Sequence, residues 1–261
     1  MKIVVCVKHV PDTQADRSFG ADNRVARSED DVLNELDENA VEAALTIAEE
    51  HGGEVVALTV GPAAAAGAVR KALQMGADAA VHVLDERIAG ADVLGTAEVL
   101  AAAVRAVAED GPVDLVVTGM AALDSLTSMV PAALAATLGL PALTLAAEVT
   151  VADGVVRVRR DVGEVAEVLE ADLPALVSVT DQANEPRYPN FKGIMAAKKK
   201  PVETWGVADL GLDTSEVGLS AAWTRVTSFT KRPPRSKGEI IVDEGDGGIK
   251  LADFLSAQKF L

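Results

Sequence analysis

Short runs of β-branched residues alternate with helical segments through the first half of the chain, and this alternation constrains the fold more than any other feature. Each predicted strand is a brief apolar run, which is typical of strands buried on both faces. The predicted strands are Lys2–Val7, Glu54–Val60, Ala79–Leu84 and Asp114–Thr118, and the predicted helices are Asp37–Glu50, Ala64–Met75, Ala91–Ala108 and a segment that contains Pro131–Thr137. Because strands joined through helices need crossover connections, the pattern predicts a mainly parallel sheet.

The rhythm changes after Pro141, where three further strands follow one another without a helix. These predicted strands are Leu143–Val151, Val155–Asp161 and Val165–Glu170. The turn Ala152-Asp153-Gly154 favours a hairpin between the first two, and Leu176–Val179 is typical of a last core strand. The predicted fold is therefore α/β, with a Rossmann-like, mainly parallel nucleotide-binding sheet, an antiparallel extension and a C-terminal arm.

Beyond Asn184 the chain has few core-forming residues. Proline- and lysine-rich stretches, the pair Pro233-Pro234 and one weak helix at Ile249–Ser256 make up this part. We expect an α/β domain at residues 1–200, which ends in a loop at 184–200. We expect residues 201–261 to be an extended arm that packs on a partner subunit, because they lack the apolar pattern of an independent core.

Charge and composition exclude several classes of protein. The 261 residues carry a net charge of −16. Residues 1–184 hold 12 Lys+Arg against 30 Asp+Glu, whereas residues 185–261 hold 12 against 10. An acidic body disfavours nucleic acid as a ligand, because phosphates repel it. The sequence has no apolar stretch long enough for a membrane span and no signal-peptide pattern, and its single cysteine excludes an internal disulfide framework. We expect a cytoplasmic protein.

Two loops follow strands at the positions where open parallel sheets bind ligands. One is Lys8–Thr13, after the first strand, and the other is Gly119–Pro131, after the fourth. The second loop offers small residues, hydroxyl groups and the free amides of a helix N-terminus, which together suit a phosphate. Ordinary helix capping by Ser125, Thr127 or Ser128 explains the same residues, so composition leaves both interpretations open. The sequence contains neither a P-loop nor a Gly-x-Gly-x-x-Gly fingerprint.

The sequence offers no acid/base pair, nucleophilic triad or metal-ligand spacing. His9, His51 and His82 lie far apart in the sequence, and only His9 falls in a candidate ligand loop. Cys6 is typical of a buried strand residue. These residues predict a binding protein without catalytic residues or a metal site.

The segment Asn184–Lys200 places Tyr188, Phe191, Ile194 and Met195 among polar and basic residues. A helix that covers the core and has a solvated lysine end is one explanation. The other is an apolar anchor with a basic rim that docks acidic partners.

The same segment closely resembles the signature of electron-transfer flavoprotein β subunits. Three further stretches resemble that family in the same order along the chain: Val7–Thr13, Ala72–Asp78 and Ala257–Leu261. The resemblance implies a heterodimer in which a larger α subunit holds most of the FAD and this chain carries AMP. It also implies that electrons arrive from acyl-CoA or related dehydrogenases, which dock at Phe191, and leave to a membrane quinone reductase. The Val10–Thr13 loop would face the partner's flavin.

The resemblance further implies which residues contact AMP. They are Cys6, Asn34, Glu35, Leu36, Asp37, Ala65, Gly119, Met120, Ala121, Ala122, Leu123, Asp124, Ser125, Leu126, Thr127, Ser128, Met129 and Val130. Leu126, Met129 and Val130 stand where polar residues are common in the family, which weakens the resemblance for side-chain contacts, although backbone amides could still hold the phosphate. Two alternatives remain open: a bifurcating flavoprotein β subunit with a second FAD in place of AMP, and a stand-alone nucleotide-binding regulatory module. The module would need neither the 184–200 segment nor the tail.

Overall fold

The computed structural model describes residues 1–28, 30–235, 237–238 and 240–261. The strands are β1 (Lys2–Cys6), β2 (His9–Val10), β3 (Val32–Leu33), β4 (Glu54–Val60), β5 (Ala79–Val83), β6 (Leu115–Gly119), β7 (Ala142–Ala146), β8 (Glu148–Ala152), β9 (Val155–Val162), β10 (Val165–Asp172), β11 (Ala175–Val179) and β12 (Val202–Trp205). The α-helices are α1 (Glu35–His51), α2 (Ala66–Met75), α3 (Val93–Val107), α4 (Val130–Leu138), α5 (Phe191–Ala197) and α6 (Gly247–Ala257). The predicted α/β class and its mainly parallel sheet are confirmed.

Seven parallel strands form the central sheet in the order β12-β5-β4-β1-β6-β11-β7. One apolar cluster packs α1 and α2 against one face of the sheet, and a second packs α3 and α4 against the other. The chain runs outward from β1 through β4 to β5, then crosses to β6 on the other side of β1. The strand order therefore switches between β1 and β6, where such sheets open a ligand crevice.

The antiparallel extension is the three-stranded sheet β10-β9-β8, inserted between β7 and β11. The single strand expected at Leu143–Val151 is in fact two strands in different sheets, because the chain leaves the parallel sheet after Ala146. Leu145 takes a left-handed φ of 62°, and its amide donates to the Ser178 hydroxyl (2.9 Å). Ala146, Ala147 and Glu148 stand at this break, and residues of these types are only weakly disfavoured in strands, so the local signal for the break is slight.

The first compact unit extends to Thr227, past the boundary expected at residue 200. Val202–Trp205 pairs with β5 as the edge strand of the central sheet, and Val207 and Val217 are buried. Residues 228–261 form the second unit, in which α6 has no buried residue. Within the part of the chain that the structure describes, no helix is both long enough and apolar enough to cross a bilayer.

Candidate functional site

The carboxyl ends of β1 and β6 meet the N-terminus of α1 at the switch in strand order. A Cβ on Gly119, the last residue of β6, would lie 2.7 Å from the Leu36 carbonyl oxygen and would also strike the Asp37 carboxylate. Real Cβ atoms do not approach that closely, so only glycine allows β6 to end against the first turn of α1. The structure thus brings Leu36, Asp37 and Gly119 together, as the predicted site requires.

Asn34 ties the start of α1 to the loop that follows β6. Its fully buried side chain donates through Nδ2 to the Ala121 carbonyl (2.9 Å) and accepts through Oδ1 from the Leu123 amide (3.0 Å). Two hydrogen bonds from one buried carboxamide fix this part of the loop in register with α1, since breaking either would leave a buried polar group unpaired. Asn34 therefore shapes the loop from within.

Asp124 anchors the middle of the loop through two cations. Its carboxylate, 3% exposed, accepts hydrogen bonds from Lys8 Nζ (2.9 Å) and Arg27 Nη2 (2.7 Å). Burial alone raises the pKa of the Asp124 carboxyl, but the Lys8 and Arg27 charges outweigh burial and hold that pKa below its usual range. Arg17 adds a 2.6 Å bond to the Leu123 carbonyl. Sequence reasoning did not find Arg17 and Arg27, because neither belongs to a motif or a regular element.

The exposed end of the loop leads into α4. Leu126 and Ser128 both take a φ of 53°, a left-handed conformation that costs a non-glycine residue on the order of 1–3 kcal/mol. Among the described residues, none accepts a hydrogen bond from the amides of Thr127, Ser128 or Met129. The side chains of Leu126 and Met129 are exposed rather than packed in the core. Unpaired amides at the start of a helix favour an anionic ligand.

Three other candidate residues, Cys6, His9 and Ala65, lie at or beyond the carboxyl ends of β1 and β4. Cys6 pairs in register with Leu58 and Thr118, and burial raises the pKa of its thiol to about 12, so it stays neutral. Ala65 is buried in the 3-10 turn before α2, after the strand that borders β1 on the side away from β6. His9 is also buried, and burial lowers its pKa.

The 184–200 segment is a loop followed by a helix, not a loop throughout. Pro186 and Pro189 disfavour a helical conformation only in the residues that precede Asn190, so a helix can begin after them. Asn190 then caps α5 by accepting from the Gly193 amide (2.9 Å). Phe191 is the first residue of α5 and is 79% exposed, and Tyr188 is 90% exposed. A helix that covered the core would bury these rings, so the covering-helix interpretation does not hold for them.

The electron transfer flavoprotein domain family matches residues 22–210 of the chain. The protein named electron transfer flavoprotein subunit beta of Mycobacterium leprae is 44% identical over 269 aligned positions, which cover 99% of both chains. The chain belongs to the electron transfer flavoprotein β-subunit family. Two other relatives of this β-subunit chain carry different names. Caffeyl-CoA reductase-Etf complex subunit CarD of Acetobacterium woodii is 36% identical across 92% of each chain, and Protein FixA of Azotobacter vinelandii is 33% identical across all of this chain and 95% of that protein.

Membership of this β-subunit family confirms the resemblance stated above. An electron transfer flavoprotein β subunit is an electron carrier rather than a catalytic enzyme, and it works with an α subunit.

Proposed function

We propose that this chain is the AMP-binding β subunit of a cytoplasmic, heterodimeric electron transfer flavoprotein. In this proposal it receives electrons from acyl-CoA-type dehydrogenases through an FAD held mainly by the α subunit, and the heterodimer passes them to a membrane quinone reductase. The observation that carries the proposal is the loop after β6. It is fixed from within by Asn34 and Asp124 and presents unpaired amides at the switch in strand order.

The proposed phosphate ligands are the backbone amides of Thr127, Ser128 and Met129, with the hydroxyls of Ser125 and Thr127 beside them. This choice fits a loop in which Leu126 and Met129 replace polar side chains, because a backbone amide donates a hydrogen bond whatever its side chain. The partial positive charge at the N-terminus of α4 adds to the attraction. Cys6, Ala65 and the Asn34–Asp37 turn would enclose the rest of the nucleotide.

The flavin requires the partner chain. FAD supplies the redox chemistry when it is bound, and this subunit contributes the Val10–Thr13 loop, which we expect to face the flavin. The last part of the predicted arm, residues 228–261, would bind the α subunit. In residues 228–261, apolar side chains such as Ile240, Phe254 and Phe260 are more than half exposed. Exposed apolar surface of this kind marks a protein interface.

The test is to co-express the chain with an α-subunit gene from the same organism, purify the heterodimer and quantify its nucleotides. One FAD and one AMP per heterodimer would support the proposal, whereas two FAD and no AMP would identify the bifurcating alternative. A chain that carries nucleotide but does not bind the α subunit would be the stand-alone module.

Variants locate the nucleotide in the loop. The pair Ser125→Glu and Thr127→Glu should repel the phosphate and lower AMP content while leaving FAD in place. Thr150→Glu, at an exposed position on β8, is the matched control and should retain AMP. AMP retained by the loop variant would place the nucleotide elsewhere.

A further inference from the structure

Arg187 fixes the start of the 184–200 segment to α1. Its guanidinium donates to Glu42 through Nε (2.7 Å) and Nη2 (2.9 Å), and to Glu49 through Nη1 (2.6 Å) and Nη2 (3.1 Å). Its backbone amide donates to Glu42 as well (3.1 Å). The Glu42 side chain is only 12% exposed, so this is a partly buried, multidentate pair of the kind that holds a fixed geometry.

The residues before Arg187 are fixed to the same helix. Asn39 Nδ2 donates to the Asn184 carbonyl (2.9 Å), and Asn184 Nδ2 donates back to the Asn39 carbonyl (3.0 Å). Asn39 and Glu42 are three residues apart on α1, so they lie on one face of that helix. Asn184 and Arg187 therefore hold the start of the 184–200 segment against α1.

Lys200 fixes the other end of the segment to α2. Its Nζ donates to three carbonyl groups at the C-terminus of α2: Leu73 (3.3 Å), Gly76 (2.8 Å) and Ala77 (2.6 Å). A cation is favourable there because it meets the negative end of the helix dipole. Lys198 and Lys199, its neighbours in the basic run, are exposed. The three lysines thus have different surroundings.

Between these two attachments, α5 lies directly on α2. A Cβ on Gly193 would come within 2.6 Å of the Gln74 carbonyl oxygen, so the backbones approach as closely as glycine permits. Lys71 lies over the Tyr188 ring, 5.8 Å from its centroid, which adds a weak cation–π contact. The result is a short helix that is anchored at both ends and still exposes Phe191.

We infer that Arg187 and Lys200 are positioning residues that hold α5 as a preformed docking element, so that Phe191 reaches a redox partner in a fixed position. The inference rests on the proposed function, in which the dehydrogenase docks at Phe191, as the family resemblance implies. Only Lys198 and Lys199 of the basic run then remain to attract an acidic partner. Preformed geometry strengthens binding because less conformational entropy is lost on docking, and it suits a carrier whose contact must be small and short-lived.

The experiment uses the purified heterodimer and, as probe, an acyl-CoA dehydrogenase reduced by its acyl-CoA substrate. Arg187→Met should raise the KM for the flavoprotein about tenfold while kcat and FAD content stay unchanged, because an ordering cost is added to binding alone. Arg187→Lys should give a smaller rise, since a lysine cannot bridge both glutamates in the same way. Amide hydrogen exchange over residues 188–197 should quicken in both variants. Arg157→Met, which removes an exposed Arg157–Glu170 pair (3.1 Å) on β9 and β10, is the control and should leave KM unchanged.

The lysines give a second, independent comparison. Lys198→Met should raise KM at low salt only, because an exposed charge acts through long-range attraction that salt screens. Lys200→Met should raise KM at both low and high salt, since its role is to hold α5 in place. The same salt dependence for both variants would overturn the inference. Glu49→Gln weakens the Arg187 attachment at its exposed end, and it keeps the test valid if Arg187→Met folds poorly.

A double-mutant cycle separates positioning from general stabilisation. If Arg187 acts by presenting Phe191, Arg187→Met should add little to the KM of a Phe191→Ala heterodimer. A full additional increase would mean that Arg187 stabilises the subunit as a whole, and the inference would be wrong. If Phe191→Ala raised the KM and Arg187→Met did not, this inference would be overturned while the docking role of Phe191 would stand. No effect of Phe191→Ala would overturn the proposed docking role, and this inference with it.

Discussion

The backbone amide of Lys8 donates a 2.8 Å hydrogen bond to the carboxylate of Asp37, which joins the end of β1 to the first turn of α1. The Asp37 side chain is buried, and burial is the main reason that its pKa rises to about 7. Hydrogen bonds from Asn34 and Lys8 favour the charged form but do not offset burial. A carboxyl group that titrates near neutral pH therefore lies within the proposed nucleotide site.

We expect the stability of the protein to fall as pH rises from about 4 to about 7 through Asp37. The unfolded carboxyl titrates near pH 3.9, so within this window the folded state binds more protons than the unfolded state. The slope from one such group is at most about 1.4 kcal/mol per pH unit. Thermal unfolding of Asp37→Asn between pH 5 and 8 should not show this fall in stability.

The control for that measurement is Asp181→Asn, at an exposed aspartate, which should unfold with the same pH dependence as the wild-type protein. The raised pKa of Asp37 would be contradicted if the wild-type protein became more stable from pH 5 to pH 7 and Asp37→Asn showed the same pH dependence.

Gly119→Ala should destabilise the protein and release nucleotide. The added Cβ would lie 2.7 Å from the Leu36 carbonyl oxygen, so β6 and α1 must separate, at a cost on the order of 1–3 kcal/mol. Chemical denaturation and extraction of bound AMP measure the two effects. Gly95→Ala is the matched control, because its Cβ would meet the side chain of Ala91, which precedes α3, at an ordinary 3.4 Å, and alanine favours a helix. Equal stability of the two variants would show that the Gly119 contact relaxes easily.

The central strands were predictable because each is an apolar run buried on both faces, and that pattern is local. β12 was not predicted, because Val202–Trp205 is a mostly exposed edge strand and only its pairing with β5 makes it a strand. The first compact unit for this reason extends beyond residue 200. Edge pairing depends on distant residues, so composition near residue 200 could not reveal it.

The site was predictable only in outline. The switch in strand order follows from the order of elements, and the loops after β1 and β6 lie beside it in the structure. The anchors of the loop join residues about a hundred positions apart, as in the pairing of Arg27 with Asp124. No spacing rule links such residues, so their roles could be found only in three dimensions.

Limited proteolysis of the isolated chain should cut after Thr227 rather than from Pro201. Residues up to Thr227 belong to the first compact unit, whereas none of the described residues in 228–261 is buried. Exposed segments without a core are the first to be cleaved. Mass spectrometry of the fragments locates the cuts. Binding of the α subunit should protect the arm, and equal cleavage with and without it would contradict the proposed role of the arm.

Phe191→Ala should weaken docking of the dehydrogenase without altering the cofactors. Phe191 is 79% exposed at the first position of α5, so its removal leaves no cavity in the core. Truncating the anchor of a small interface typically costs about 2 kcal/mol, or roughly thirtyfold in affinity. Titration of electron transfer against heterodimer concentration measures the loss, and extraction measures FAD and AMP.

Val168→Ala is the control for this variant, since Val168 is 51% exposed on β10 and lies outside the 184–200 segment. It should transfer electrons like the wild-type protein, because loss of an exposed aliphatic group away from the contact changes neither docking nor packing. If Phe191→Ala instead lost flavin in proportion to activity, the ring would be supporting the heterodimer. Its exposure would then reflect the absence of the α subunit, and the dehydrogenase would have to bind elsewhere.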